Sequence, residues 1–171
     1  MNFCKEVQPI VYCLVLTSNI LTILVSITTV GCIFAFKLSK LFVMNEKVKY
    51  WAELSEYDYD TALAMMQTGR YLYVGFMCHQ TIEKILKAYF NAFNTEPAPF
   101  THSLTYLANK ANIYDILPEE LKDFIDILEP LNIEARYPSH KERLMKSLTK
   151  ERCQSILRNT KDLQTWITEK L

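Results

Sequence analysis

The sequence predicts an all-α fold: an up-and-down bundle of four to five helices, preceded by one apolar N-terminal helix. Three observations carry that expectation. The chain has 171 residues, half of them apolar, with only 3 Gly and 6 Pro. A core is therefore within reach, and few residues interrupt helices. Its 10 Tyr and 9 Phe sit among Leu, Lys, Glu and Ala, not in the alternating runs that a half-buried strand needs. From Met44 onward, apolar residues recur at spacings of three and four, the signature of a helix with one buried face.

The first element is the apolar stretch. Val7 to Phe36 carries no charged residue, and about 20 apolar residues suffice to cross a bilayer as a helix. Lys37 and Lys40 follow it, whereas Lys5 and Glu6 cancel before it. The positive-inside bias would then place the C-terminal part in the cytoplasm. A cleaved signal peptide fits poorly, because the run is too long and no small-x-small cleavage site stands out. Thr17, Ser18, Asn19, Thr22, Ser26, Thr28 and Thr29 interrupt the run with polar groups. Met44 also opens Met-Asn-Glu-Lys-Val-Lys-Tyr-Trp51, which reads like a soluble N-terminus. Two readings of residues 1–43 stay open: a single transmembrane anchor, or an upstream extension that is never made. Residues 44–171 form the helical domain in both, and cytoplasmic localisation is expected, with a single-pass membrane protein as the alternative.

In the helical part, Trp51, Leu54, Tyr57, Asp58, Ala62, Met65 and Met66 keep helical spacing and predict a helix over 46–68, stopped by Gly69. A second helix is expected over 71–93, with Leu72, Gly75, Phe76, Ile82, Leu86, Tyr89, Phe90 and Phe93 on its apolar arc. Gly75 on that arc points to close helix packing. The two prolines in Asn94-Thr-Glu-Pro-Ala-Pro-Phe100 mark a loop. A short helix follows over 102–111, with Leu104, Leu107 and Ala108 inward. Pro118 opens a fourth, with Glu119 and Glu120 in the first turn, where the helix dipole favours them. Leu121, Phe124, Ile125 and Leu128 are its apolar set, and Pro130 is expected to end it. Asn132 to Lys146 reads as irregular or weakly helical. A last helix is expected over 149–170, with Ile156, Leu157, Leu163, Trp166 and Ile167 at core spacing.

The formal net charge is +0, so no strong global attraction to nucleic acid or membrane is implied. The balance hides a gradient. Asp115 to Glu134 is strongly acidic, and Arg136 to Asp162 is basic. The basic stretch reads as a solvated helix face or as a surface for phosphate or an acidic partner. The 5 Cys show no CxxC or Cys/His ligand spacing, so a disulfide framework and a zinc site are not expected. No cofactor and no metal is expected.

Candidate chemistry begins on the second helix. His79 and Glu83 fall on the apolar arc one turn apart. A carboxylate there needs a cation or several donors, because an uncompensated buried charge costs several kcal/mol. The pair reads either as a satisfied structural contact or as a group that orients an arginine. Arg136 is the arginine the sequence offers, in Glu134-Ala-Arg-Tyr-Pro-Ser-His140. Pro138 keeps that segment from being regular helix, so Arg136, Tyr137 and His140 are candidates to project from a loop. Arg beside His suits RNA cleavage without a metal: His moves a proton and Arg stabilises charge on the phosphorane. Arg136 and His140 are the candidate catalytic residues. Glu83, His79, Tyr137, Lys84 and His102 are the candidate binding set. Plainer readings stand beside them. Glu83 and Lys87, with Lys84, read as surface decoration of a helix, and His102 reads as a cap or packing residue at a helix start.

These motifs resemble those of HEPN domains (higher eukaryotes and prokaryotes nucleotide-binding). Gln80-Thr-Ile-Glu-Lys-Ile-Leu-Lys-Ala-Tyr89 is similar to the family's Gln-x-x-Glu-Lys-x-Leu-Lys-Ala. His102-Ser-Leu-Thr-Tyr-Leu107 is similar to its His-x-Leu-x-x-Leu, and Ala135-Arg-Tyr-Pro138 to its Arg-Tyr-Pro. The resemblance covers essentially Met44 to Leu171. It implies a helical bundle, often a symmetric homodimer, and a place in a prokaryotic toxin–antitoxin or defence-type system beside a minimal nucleotidyltransferase. Catalytic relatives carry Arg, four to six residues, then His, and are metal-independent endoribonucleases. Here three residues separate Arg136 from His140. The resemblance therefore leaves two functions open: an endoribonuclease acting on RNA, or a non-catalytic module that binds a partner nucleotidyltransferase or a nucleotide. A membrane partner follows only if residues 1–43 are made.

Overall fold

A computed structural model describes residues 46–134 and 147–171. Residues 1–43, read above as an anchor or an extension, lie outside the described residues, as does most of the expected irregular segment. The described part is helical throughout: α1 (46–67), α2 (Tyr71–Phe93), α3 (Leu104–Lys110), a 3₁₀ turn (Tyr114–Ile116), α4 (Glu119–Glu134) and α5 (Lys150–Thr168). No helix among the described residues is long and apolar enough to cross a membrane.

Local signals set most boundaries. Gly69 stops α1 with φ +69, a left-handed conformation that glycine adopts without a Cβ penalty. Ser103 caps α3 by accepting the Tyr106 N–H, and Thr149 caps α5 by accepting the Arg152 N–H, as N-terminal hydroxyls do. Glu119 and Glu120 occupy the first turn of α4 as expected.

Pro130 departs from expectation, because it lies inside α4 and the helix continues to Glu134. A proline removes one N–H and crowds the preceding turn. Packing offsets that here. Leu131 and Asn132, just beyond it, are buried, and Leu131 lies against α2 at Gly75.

α2 is the central helix, packed against α3, α4 and α5. Buried positions run round most of its circumference, from Leu72 and Val74 to His79, Glu83, Lys87 and Asn91. A Cβ on Gly75 would stand 3.0 Å from Leu131 Cδ1, so the close packing predicted at this glycine is present. Phe93, assigned above to the apolar arc, is exposed, as is Tyr57 on α1.

Pairwise contacts fix helix directions. Trp51, early in α1, reaches Lys87, late in α2, so these two helices run antiparallel. The Ser55 hydroxyl donates to the Thr81 carbonyl across the same interface. The Tyr59 hydroxyl donates to the Leu157 carbonyl, and Gln164 donates to Ser55 Oγ, which makes α1 and α5 antiparallel too. α2 and α5 then run parallel, the sense an up-and-down order gives. Cys153 Sγ contacts the Tyr71 carbonyl oxygen at this interface. The core where α2, α4 and α5 meet is closed by Ile82, Leu86, Ile125, Leu128, Leu163 and Ile167.

Candidate functional site

The middle of α2 carries five polar residues in one stretch, His79, Gln80, Thr81, Glu83 and Lys84, with Lys87 one turn later. Helical spacing puts Lys87 four residues beyond Glu83, where a carboxylate and an ammonium can meet. Lys87 Nζ donates to Glu83 Oε1 at 2.6 Å. The side chains of this pair are only 11% and 3% exposed. This is a buried ion pair, not the surface decoration that sequence spacing suggests. The helical pattern fixes which residues are neighbours. It does not reveal that α1 and the loop before α3 cover this face. Trp51 of α1 lies over Lys87, with Nζ 5.2 Å from the ring centroid.

The second oxygen of Glu83 faces two imidazoles. His102 Nδ1 lies 2.9 Å from Oε2, and His79 Nδ1 lies 4.0 Å from the same atom. His79 is fully buried, whereas the His102 side chain is 58% exposed. Burial pushes the Glu83 carboxyl up, but hydrogen bonds from Lys87 and His102 outweigh that and hold it below the usual carboxylate range. Glu83 is therefore ionised at neutral pH.

His102 comes from the loop before α3. Sequence reading makes it a cap or packing residue. The cap is Ser103 instead, and His102 reaches back to α2. The loop has further anchors. Glu129 of α4 accepts the backbone N–H of Leu104 at 2.9 Å and of Thr105 at 3.4 Å, and Leu104 itself is buried. Glu129 is absent from the candidates that sequence offers. Its only signal is a carboxylate on a helix that must satisfy the open N–H groups of another.

A second polar chain crosses the bundle beside the first. Lys84 Nζ donates to Asp58 Oδ2 of α1 and to Gln80 Oε1. Gln80 Nε2 in turn donates to Asn132 Oδ1 of α4. Asp58 and Lys84 are mostly buried. Lys84 thus ties α1 to α2, and a further donor of its ammonium reaches a neutral amide.

The structure brings Glu83, His79, His102 and Lys87 together and sets Lys84 beside them. Arg136, Tyr137 and His140 lie outside the described residues, and so does the expected pairing of Glu83 with Arg136. An open, mostly apolar groove of about 430 Å³ lies at the α1–α2 turn, lined by Met65, Thr68, Arg70 and Tyr73. Among the described residues, none of the candidates lines it. At the Glu83 cluster the carboxylate and the Lys87 ammonium cancel, and imidazole completes the set. Such a cluster is suited to moving or holding a proton more than to binding an anion.

A family model for the HEPN domain matches residues 48–171. The crystal structure of TT1696 from Thermus thermophilus is similar in fold, with a TM-score of 0.64 at 21% identity over 73% of this chain and 98% of that one. No curated protein matches.

Proposed function

Because the chain belongs to the HEPN domain family, whose members have nucleotide-, RNA- or toxin–antitoxin-related roles, we propose that it is the HEPN protein of a prokaryotic toxin–antitoxin or defence-type system and cleaves RNA without a metal. The observation that carries this reading is the family match over residues 48–171 together with Arg136 and His140, four positions apart, soon after the end of α4. In the proposed reaction His140 exchanges a proton with the 2′-hydroxyl or the leaving oxygen. Arg136 stabilises the charge that builds on the phosphorus oxygens. A homodimer is the proposed working unit.

The test uses the purified full chain and single-stranded RNA, beside Arg136→Ala and His140→Ala variants. Each substitution is expected to lower cleavage by a factor of about 10²–10⁴, the usual contribution of a proton-transfer or oxyanion-stabilising group. Equal cleavage by all three proteins removes both residues from the mechanism.

A second reading has its own support: the interval between Arg136 and His140 is one residue shorter than in catalytic relatives. On that reading the chain is a non-catalytic module that binds a partner nucleotidyltransferase or a nucleotide. It predicts stable co-purification with a co-expressed nucleotidyltransferase, and no RNA cleavage.

A further inference from the structure

Three residues drawn from α2 and the loop before α3 form a relay from interior to surface. Lys87 holds one oxygen of buried Glu83 at 2.6 Å, and the other oxygen holds His102 Nδ1 at 2.9 Å. The histidine end of this relay is 58% exposed. We propose that Glu83 and His102 form a proton-transfer dyad in which His102 is a general base for the RNA cleavage proposed above, an inference that rests on that reading.

The tautomer follows from the acceptor. An ionised carboxylate only accepts hydrogen bonds, so the imidazole nitrogen that faces Glu83 carries the proton. Nε2, on the opposite edge of the ring, then holds the lone pair. A carboxylate behind an imidazole fixes ring orientation and tautomer, and it stabilises the imidazolium that forms when the ring takes up a proton. Lys87 keeps Glu83 ionised inside the bundle, where a lone carboxylate would tend to protonate.

A purely structural role explains less. The loop that carries His102 is already held by the Ser103 cap, by Glu129 on the N–H groups of Leu104 and Thr105, and by buried Leu104. Tying down the loop does not require an imidazole. Anion binding is also disfavoured, since the ammonium of Lys87 is already paired with Glu83. The neighbours suit a nucleotide chain. Phe100 and Tyr106, on either side of His102 in sequence, are exposed aromatics, and exposed aromatic rings stack bases of single-stranded RNA.

In the step itself, His102 Nε2 takes the proton of a ribose 2′-hydroxyl. The 2′-oxygen forms a bond to the adjacent phosphorus, and the bond from phosphorus to the 5′-oxygen breaks. That oxygen leaves with the electron pair and takes its proton from His140, the role left to that residue once His102 is the base. The His102 imidazolium then gives its proton to water and His140 regains one from it. The products are a 2′,3′-cyclic phosphate and a 5′-hydroxyl, with no other reactant consumed.

The test is His102→Asn in the full chain. The Asn amide nitrogen sits near the position of Nδ1 and keeps a donor toward Glu83, but it cannot transfer protons. Cleavage of a 5′-labelled single-stranded RNA is expected to fall about 100-fold or more, with the thermal midpoint unchanged. Cleavage at the wild-type rate by His102→Asn overturns the role of His102 and leaves the RNA-cleaving reading intact. Failure of the wild-type chain to cleave removes that reading, and the dyad with it. Long-range ¹H–¹⁵N spectra of the wild-type imidazole give a readout independent of how the variant folds. The Nδ1–H tautomer at pH 8 supports the dyad, and the Nε2–H tautomer overturns it.

Discussion

Replacing Glu83 by leucine removes the carboxylate and leaves the Lys87 ammonium buried. The Lys87 side chain is 11% exposed, too little for water to take over the lost charge. Removing one member of a buried ion pair costs about 3–5 kcal/mol, mostly as the penalty of the stranded partner. In a bundle of this size each kcal/mol moves the thermal midpoint by roughly 3–4 °C, so Glu83→Leu should melt about 10–20 °C early. Lys87→Met should cost a similar amount by stranding Glu83. Because the damage lies in the unpaired charge, the double variant Glu83→Leu/Lys87→Met should recover most of it, within about 1 kcal/mol of wild type. Urea unfolding of all four proteins measures the cycle. Single variants within about 1 kcal/mol of wild type, or a double variant as damaged as the singles, would refute the buried-pair assignment.

Other outcomes follow from the same structure. The Glu83 carboxyl is held below its ordinary value of 4.5 in the fold. Its contribution is therefore full above that value and is lost as pH falls through the depressed one. The thermal midpoint should drop as pH is lowered below about 5, and Glu83→Gln should flatten that part of the curve. Burial pushes the Cys78 thiol up to about 12 and the Cys153 thiol to about 11. Both should resist a thiol reagent at pH 8 in the native protein and react on unfolding, as peptide mapping would show. A leucine at Gly75 would drive its side chain into Leu131, already 3.0 Å from an added Cβ. The expected loss is about 1–3 kcal/mol, read by urea unfolding. Glu129→Ala opens two backbone N–H groups of α3 and should cost about 1 kcal/mol, read the same way.

The sequence made α2 legible to the residue, since Gly69 and the proline loop bracket a long uninterrupted period. The expected starts of α3 and α5, 102 and 149, lie within two residues of Leu104 and Lys150, and the close packing at Gly75 was legible from its place on an apolar arc. Pro130 misled because chain-breaking is a local cost, while the burial of Leu131 and Asn132 that offsets it is tertiary. The Glu83 site was half legible. A carboxylate on an apolar arc announces that it has a partner, but spacing does not name one. Lys87, four residues on, looked like a surface pair because nothing in its own helix shows that Trp51 covers it. His102 comes from a loop 19 residues away, a distance that only folding closes.

The proposed function has this HEPN-family chain cleave RNA by proton transfer with no metal. The most direct measurement is the end chemistry of a single-stranded RNA incubated with the full chain in excess EDTA. The expected result is cleavage that persists in EDTA and leaves 2′,3′-cyclic phosphate and 5′-hydroxyl ends. Intact RNA, or fragments with 5′-phosphate and 3′-hydroxyl ends, would contradict it.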